Sequence, residues 1–132
     1  MPRLAKGGKW IFGWVIVSSR GEIRIPPEAC AEYGFRTGEE VVLLPGSRTS
    51  RGFGIGRKAR VAGSKAPLER KTIGRAAVGE GGRVVLPPGS GARPGERLLV
   101  GRGSGVALGF IRQGSIVAAA LKHPELPVFT AD

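Results

Sequence analysis

Apolar residues along this chain fall in short runs separated by turn formers, and no run keeps the 3.6-residue period of a long amphipathic helix. Val15 to Val17 is β-branched, Ser18 to Gly21 supplies a turn, and Glu22-Ile23-Arg24-Ile25 alternates polar and apolar at the strand period of two. That pattern predicts a β-hairpin over residues 15–25, with Ile23 and Ile25 inward and Glu22 and Arg24 outward. Pro26 and Pro27 end the strand and suit the first turn of a short helix, where a missing N–H costs nothing. Glu28 fits the positive end of that helix and Gly34 its left-handed stop. Glu39 to Leu44 and Arg51 to Gly56 then read as a second strand pair, joined by the turn-rich residues Pro45 to Ser50. Upstream, Trp10, Phe12 and Trp14 alternate as one face of a strand, a core face in preference to a base-stacking one.

The same grammar returns further along. Gly21-Glu22-Ile23-Arg24-Ile25-Pro26-Pro27 reappears as Gly82-Arg83-Val84-Val85-Leu86-Pro87-Pro88, an offset of 82 − 21 = 61. Thr37-Gly38-Glu39 lines up with Pro94-Gly95-Glu96, and Phe53 to Arg57 resembles Leu108 to Arg112. The chain therefore divides into a first copy at 9–57, a linker at 58–71, a degenerate second copy at 72–113 and a terminal segment at 114–132. In the second copy Gly89 to Pro94 stands where the first has its helix, which predicts a bare loop. A short helix is expected from Ser115, its N-cap, to Lys122, followed by a tail from Glu125 to Asp132. A copy of under about fifty residues buries too little surface to fold alone, so the two copies are expected to share one core.

Composition narrows the function. Lysine and arginine number 21 against 10 acidic residues, a formal charge of +11, which argues for a polyanionic partner, nucleic acid before membrane. With 23 glycines and 10 prolines among 132 residues but 41% hydrophobic ones, the chain reads as an all-β or β-rich fold with one or two short helices. The single Cys30 excludes an intrachain disulfide, and the single His123 removes the usual nucleophile pairs and metal triads. No catalytic, metal or cofactor site is expected, so the chain is read as a non-enzyme. Glycine-rich Gly52 to Gly56 and Gly101 to Gly105 lack phosphate-loop spacing and read as hairpin turns. No apolar run approaches the roughly 20 residues of a membrane span, and no signal-peptide pattern opens the chain, so a cytoplasmic location is expected.

Ser18-Ser19-Arg20-Gly21-Glu22-Ile23-Arg24-Ile25-Pro26-Pro27-Glu28, followed by Gly34-Phe35-Arg36-Thr37-Gly38-Glu39, resembles a SpoVT/AbrB domain. Gly82-Arg83-Val84-Val85-Leu86-Pro87 is similar to the other common form of that motif, so the resemblance covers both copies. It implies a swapped-hairpin β-barrel, here an intramolecular pseudo-dimer with a homodimer as the rival arrangement, and duplex-DNA binding in transcription regulation, associated with a prokaryotic nucleoid. It further implies that Arg20 and Arg83 face DNA, and outward parity adds Arg24. In the linker, Lys58, Arg60, Lys65, Arg70 and Lys71 would supply sequence-independent attraction to phosphate. The chain departs from the family pattern at Pro27, Cys30 and Pro88 and has Glu22 where the second copy has Arg83; because the second copy has also lost its helix, the two-fold symmetry is broken and any recognised sequence is expected to be asymmetric. Two rival functions are carried: an antitoxin-like or adaptor module docking a protein through Leu121, Leu126, Val128 and Phe129, and RNA binding.

Overall fold

The computed structural model describes residues 10–64, 68–103 and 105–132, with Leu68 and Glu69 described by backbone alone. Its strands are β1 (Ile11–Ile16), β2 (Glu22–Arg24), β3 (Glu40–Pro45), β4 (Phe53–Arg57), β5 (Gly74–Ala77), β6 (Arg83–Val85), β7 (Arg97–Gly101), β8 (Ala107–Ile111) and β9 (Val128–Thr130). The α-helices are α1 (Pro27–Tyr33), α2 (Lys58–Ala62) and α3 (Ser115–Ala120), and single 3-10 turns occupy Leu68–Lys71, Glu80–Gly82 and Pro88–Ser90. The fold is β-rich, with three short α-helices among the described residues where one or two were expected.

Seven strands form one curled mixed sheet in the order β5-β3-β4-β8-β7-β1-β9, and β2 and β6 form a separate antiparallel ribbon. Most pairings join distant parts of the sequence. β1 pairs with β7, β3 with β5, β4 with β8 and β2 with β6, while among the described residues β3–β4 and β7–β8 are the local hairpins. The hairpin expected over residues 15–25 is therefore corrected. The Gly21 amide does bond the Ser18 carbonyl, closing a turn, but the Val17 amide goes to the Glu96 carbonyl at 2.9 Å and β2 swings away onto β6.

Hydrogen bonds between the halves come in matched sets. Val17 N–H to Glu96 C=O, 2.9 Å, has its counterpart in Val78 N–H to Glu39 C=O, 2.9 Å. Gly95 N–H to Val17 C=O and Gly38 N–H to Val78 C=O are both 2.7 Å, and Leu86 N–H to Gly21 C=O and Ile25 N–H to Gly82 C=O are both 2.9 Å. Within each half a matching ion pair forms as well, Arg57 Nε donating to Glu39 at 2.7 Å and Arg112 Nε to Glu96 at 2.6 Å.

The main core lies inside the curl and draws on both halves: Phe12, Val15 and Val17 from β1 and its exit, Val41 and Leu43 from β3, Phe53 and Ile55 from β4, Leu98 and Val100 from β7, Leu108 and Phe110 from β8, with Ile23 and Val84 closing it from the ribbon. Phe53 and Phe110 face each other in register and stack, ring centroids 5.1 Å apart at 10°. On the outer face α3 and the tail cover Ile11, Trp14, Leu99 and Ile111, and Val61 of α2 covers Val42, Leu44 and Ala107.

The aromatic alternation does not hold. Phe12 enters the main core, whereas Trp14 joins the outer cluster, because the β1–β7 register slips between Ile11 and Gly13. Gly13 sits at φ 139°, and a Cβ there would lie 2.5 Å from the Pro127 carbonyl oxygen, so glycine is what lets the bulge and the tail meet. Arginines line the outer edge, with the Arg97 guanidinium 4.6 Å from the Trp14 ring centroid.

Helix α1 starts behind Pro26 with Glu28 in its first turn and stops at Gly34, φ 73°, as the residues require. The loop expected at residues 89–94 opens with a 3-10 turn, Pro88–Ser90, whose left-handed stop is Gly91. In α3 the N-cap is Gly114, not Ser115, and no side chain caps it. Within the stretch taken as a basic linker, Lys58–Ala62 forms α2, and Val61 anchors it to the sheet. The tail does not hang free either, since β9 runs parallel to β1, Leu126 is buried and Phe129 lies against the main core. Of the four apolar residues assigned to docking a partner, only Leu121 and Val128 stay exposed. No helix among the described residues is long and apolar enough to cross a membrane.

Candidate nucleic-acid interface

The ribbon brings two of the expected site residues side by side. Arg24 stands opposite Arg83 and Glu22 opposite Val85, on the face turned away from buried Ile23 and Val84. Directly opposed like charges in an antiparallel pair cost roughly 0.2–1 kcal/mol, so the apposition is a local cost that an anion laid across it removes. Val85 is 58% exposed, an apolar spot beside the arginines.

The two guanidiniums are held differently. Arg83 Nε donates to the Ala131 carbonyl at 2.8 Å and its Nη1 to the Glu80 carbonyl at 3.1 Å, which fixes the side chain between the tail and the 3-10 turn. Arg24 Nε is buried and has no acceptor. A buried donor left without a partner costs about 1–3 kcal/mol, so outward parity alone misdescribes Arg24: its stem and Nε are sunk beside the ribbon. The Cys30 thiol lies close by, 4.0 Å from the Ile25 carbonyl; burial pushes it up, and the positive charge of Arg24 partly opposes that. Arg20 sits exposed at the tip of the turn before β2, where the Ser18 hydroxyl accepts the Arg20 and Glu22 amides.

The basic residues between the copies do not converge on the ribbon. Lys58 and Arg70 line a cleft of about 420 Å³ with Val42, Val61, Thr72 and Arg75. Arg60 lines a smaller one, about 200 Å³, with Glu32, Tyr33 and Arg102, and Lys71 borders a third over Leu44 and Gly54. Lys65 lies outside the described residues. Sequence reasoning passed over Arg75 and Thr72; the signal for Arg75 was its place in Gly74-Arg75-Ala76-Ala77, where exposure alternates along β5.

Several other cations are committed to carboxylates. Arg102 forks onto Glu32, Nε donating at 2.8 Å and Nη2 at 2.5 Å, and this hydrogen bonding holds the Glu32 carboxyl below the ordinary carboxylate range. Arg112 reaches Glu96, the Ser90 carbonyl and the Arg51 carbonyl together. No group of three or more histidine, cysteine and acidic side chains placed to hold a metal occurs among the described residues.

The chain matches no protein-family model and no curated protein. Among solved structures it is similar to the solution structure of PHS018 from Pyrococcus horikoshii, at 21% identity over 80% of this chain and 98% of that one, with a TM-score of 0.37.

Proposed function

We propose that this chain is a duplex-DNA-binding transcriptional regulator of the SpoVT/AbrB type, built as an intramolecular pseudo-dimer of two swapped-hairpin copies. The matched hydrogen bonds between the halves support that architecture, because each copy's first strand pairs with the other copy's third. The observation that carries the function is the Arg24–Arg83 apposition, both side chains half-buried, on a two-stranded ribbon of a chain with a +11 charge. Two arginine forks side by side match the spacing-tolerant geometry of backbone phosphates and of guanine edges. Glu22 and Val85 face each other at the other end of the ribbon, and the two copies present different outward pairs, Glu22 with Arg24 and Arg83 with Val85, so the recognised sequence is asymmetric: a carboxylate suits a cytosine amino group and an apolar side chain a thymine methyl.

The test is fluorescence anisotropy on a random duplex across salt concentration, with the wild type beside the triple variant Arg20→Ala, Arg24→Ala, Arg83→Ala. Each lost phosphate contact lowers the log-affinity slope by about 0.9, so a drop of roughly 2–3 is expected, with competition by single-stranded RNA weaker than by duplex. A triple variant that keeps its fold, its affinity and its slope refutes the ribbon as the site.

A further inference from the structure

The cleft between α2, the 3-10 turn Leu68–Lys71 and edge strand β5 gathers cations around an apolar floor, and the ribbon does not use it. Lys58, Arg70 and Arg75 converge there with the Thr72 hydroxyl over Val42 and Val61, both buried. Val42 and Arg75 are partners in the β3–β5 register, so the backbone itself sets the guanidinium at the rim of that floor. The described carboxylate that reaches this group is Glu40, 3.0 Å from Lys58 Nζ; among the described residues Arg70 and Arg75 have no ion-pair partner. Three cations meeting one carboxylate leave a surplus of positive charge against a low-dielectric wall, the arrangement that draws in an oxyanion. A volume of about 420 Å³ lies within the range of roughly 300–1,000 Å³ typical of ligand sites.

We infer that this cleft is a phosphate-binding site, and that the phosphate it takes belongs to a nucleic-acid backbone already held on the ribbon. The second half of that statement rests on the DNA-binding reading. Strand β5 supplies the continuity: it leads through residues 78–82 into β6, and its exposed Arg75 is itself part of the cleft. On the other flank β9 and α3 cover the sheet, and α3, Ser115–Ala120, carries no charged residue. The nucleic-acid path is therefore placed past the ribbon on the β5–α2 side.

The experiment compares the wild type with Arg70→Gln/Arg75→Gln, and with Lys122→Gln as an exposed cation outside the cleft. Binding to a 30-base-pair random duplex is followed from 50 to 200 mM salt. Two lost phosphate contacts lower the slope by about 1.8, so the cleft variant loses about twelvefold less affinity over that fourfold salt range than the wild type, while Lys122→Gln changes the slope little. In parallel, the Thr72 and Arg75 amides are followed by NMR as pyrophosphate is added. A lowered slope at unchanged melting temperature supports the backbone anchor. Saturable pyrophosphate shifts that vanish in the cleft variant, with an unchanged duplex slope, uphold the phosphate site and overturn the backbone as its source. An unchanged slope with no pyrophosphate shift overturns the proposal entirely. Should the wild type fail to bind duplex at 50 mM salt, the DNA reading and the backbone anchor both fall, and the pyrophosphate arm alone decides whether the cleft takes phosphate.

Discussion

Replacing Phe110 by Ala removes one ring of the stacked pair that joins β4 to β8 across the centre of the main core. Both rings are fully buried, Phe53 at 2% exposure and Phe110 at 1%, and their neighbours belong to strands of both halves, which leaves the site little room to collapse. Truncating a buried phenylalanine costs about 3–5 kcal/mol, and loss of an offset ring pair accounts for about 0.5–1.5 kcal/mol of it. With an unfolding entropy near 2.1 cal/mol/K per residue, a chain of this length loses about 3.6 °C per kcal/mol, so a cost of about 4 kcal/mol lowers Tm by roughly 14 °C. Phe110→Leu, which keeps most of the volume, is expected to cost about 1.5 kcal/mol and serves if the alanine variant does not fold. Urea and thermal unfolding by circular dichroism give the magnitude, and amide exchange gives its distribution. Because β4 and β8 join the halves, protection is expected to fall together in β3 and β7. Two separable transitions, a loss of protection confined to residues 72–113, or a cost below about 1 kcal/mol for Phe110→Ala would refute the shared core.

Three further outcomes follow from single contacts. Gly13→Ala places a Cβ 2.5 Å from the Pro127 carbonyl oxygen at a φ of 139°, and is expected to cost more than about 2 kcal/mol and expose the Leu126 and Phe129 amides to exchange; full protection of both speaks against it. Glu96→Gln is expected to destabilise by about 2 kcal/mol and Glu39→Gln by about 1, because each carboxylate also accepts a backbone amide, from Arg93 and Arg36, but Arg112 ties Glu96 to two further carbonyls; urea midpoints in the reverse order contradict this. The Glu32 carboxyl titrates below the ordinary carboxylate range in the folded protein, so its pair with Arg102 helps stability above that range and the help fades as pH falls toward the lowered midpoint. Arg102→Gln should return the Glu32 midpoint upward in a carbon-detected NMR titration, and an unmoved midpoint removes Arg102 as the cause.

Local instructions in this chain were easier to read than addresses. Pro26-Pro27 with Glu28 and Gly34 specified helix α1, and the strand pair at β3–β4 followed from its alternation and its intervening turn. The partner of β1 was not readable, because a β-branched run states that a strand forms and not which backbone completes its ladder; the tight turn at residues 18–21 pointed to β2, and the pairing went to β7. Trp10, Phe12 and Trp14 kept a strict period on paper, yet one glycine in the bulge reversed the face after it. Helix α2 was hidden within a run of charge, since only Val61 of its five residues is buried. Of the candidate site, Arg83 came from the family resemblance and Arg24 from outward parity, and their apposition from neither. Arg75 was not legible, because Gly74-Arg75-Ala76-Ala77 has too little apolar content to look like a strand until β3 lies beside it. Lys58, Arg60, Arg70 and Lys71 counted as one block of charge along the sequence, but the α2 and 3-10 turns aim them at three separate depressions.

The parallel seat of β9 on β1 also sets the order in which the chain can mature. Ile16 pairs with Arg97 on one side and Thr130 on the other, so β1 waits for residues far downstream before both its edges are closed. Until then it is an apolar segment with an open edge, the kind that recruits other chains. Contacts of such long sequence separation slow folding, so the open edge persists while the downstream strands are found.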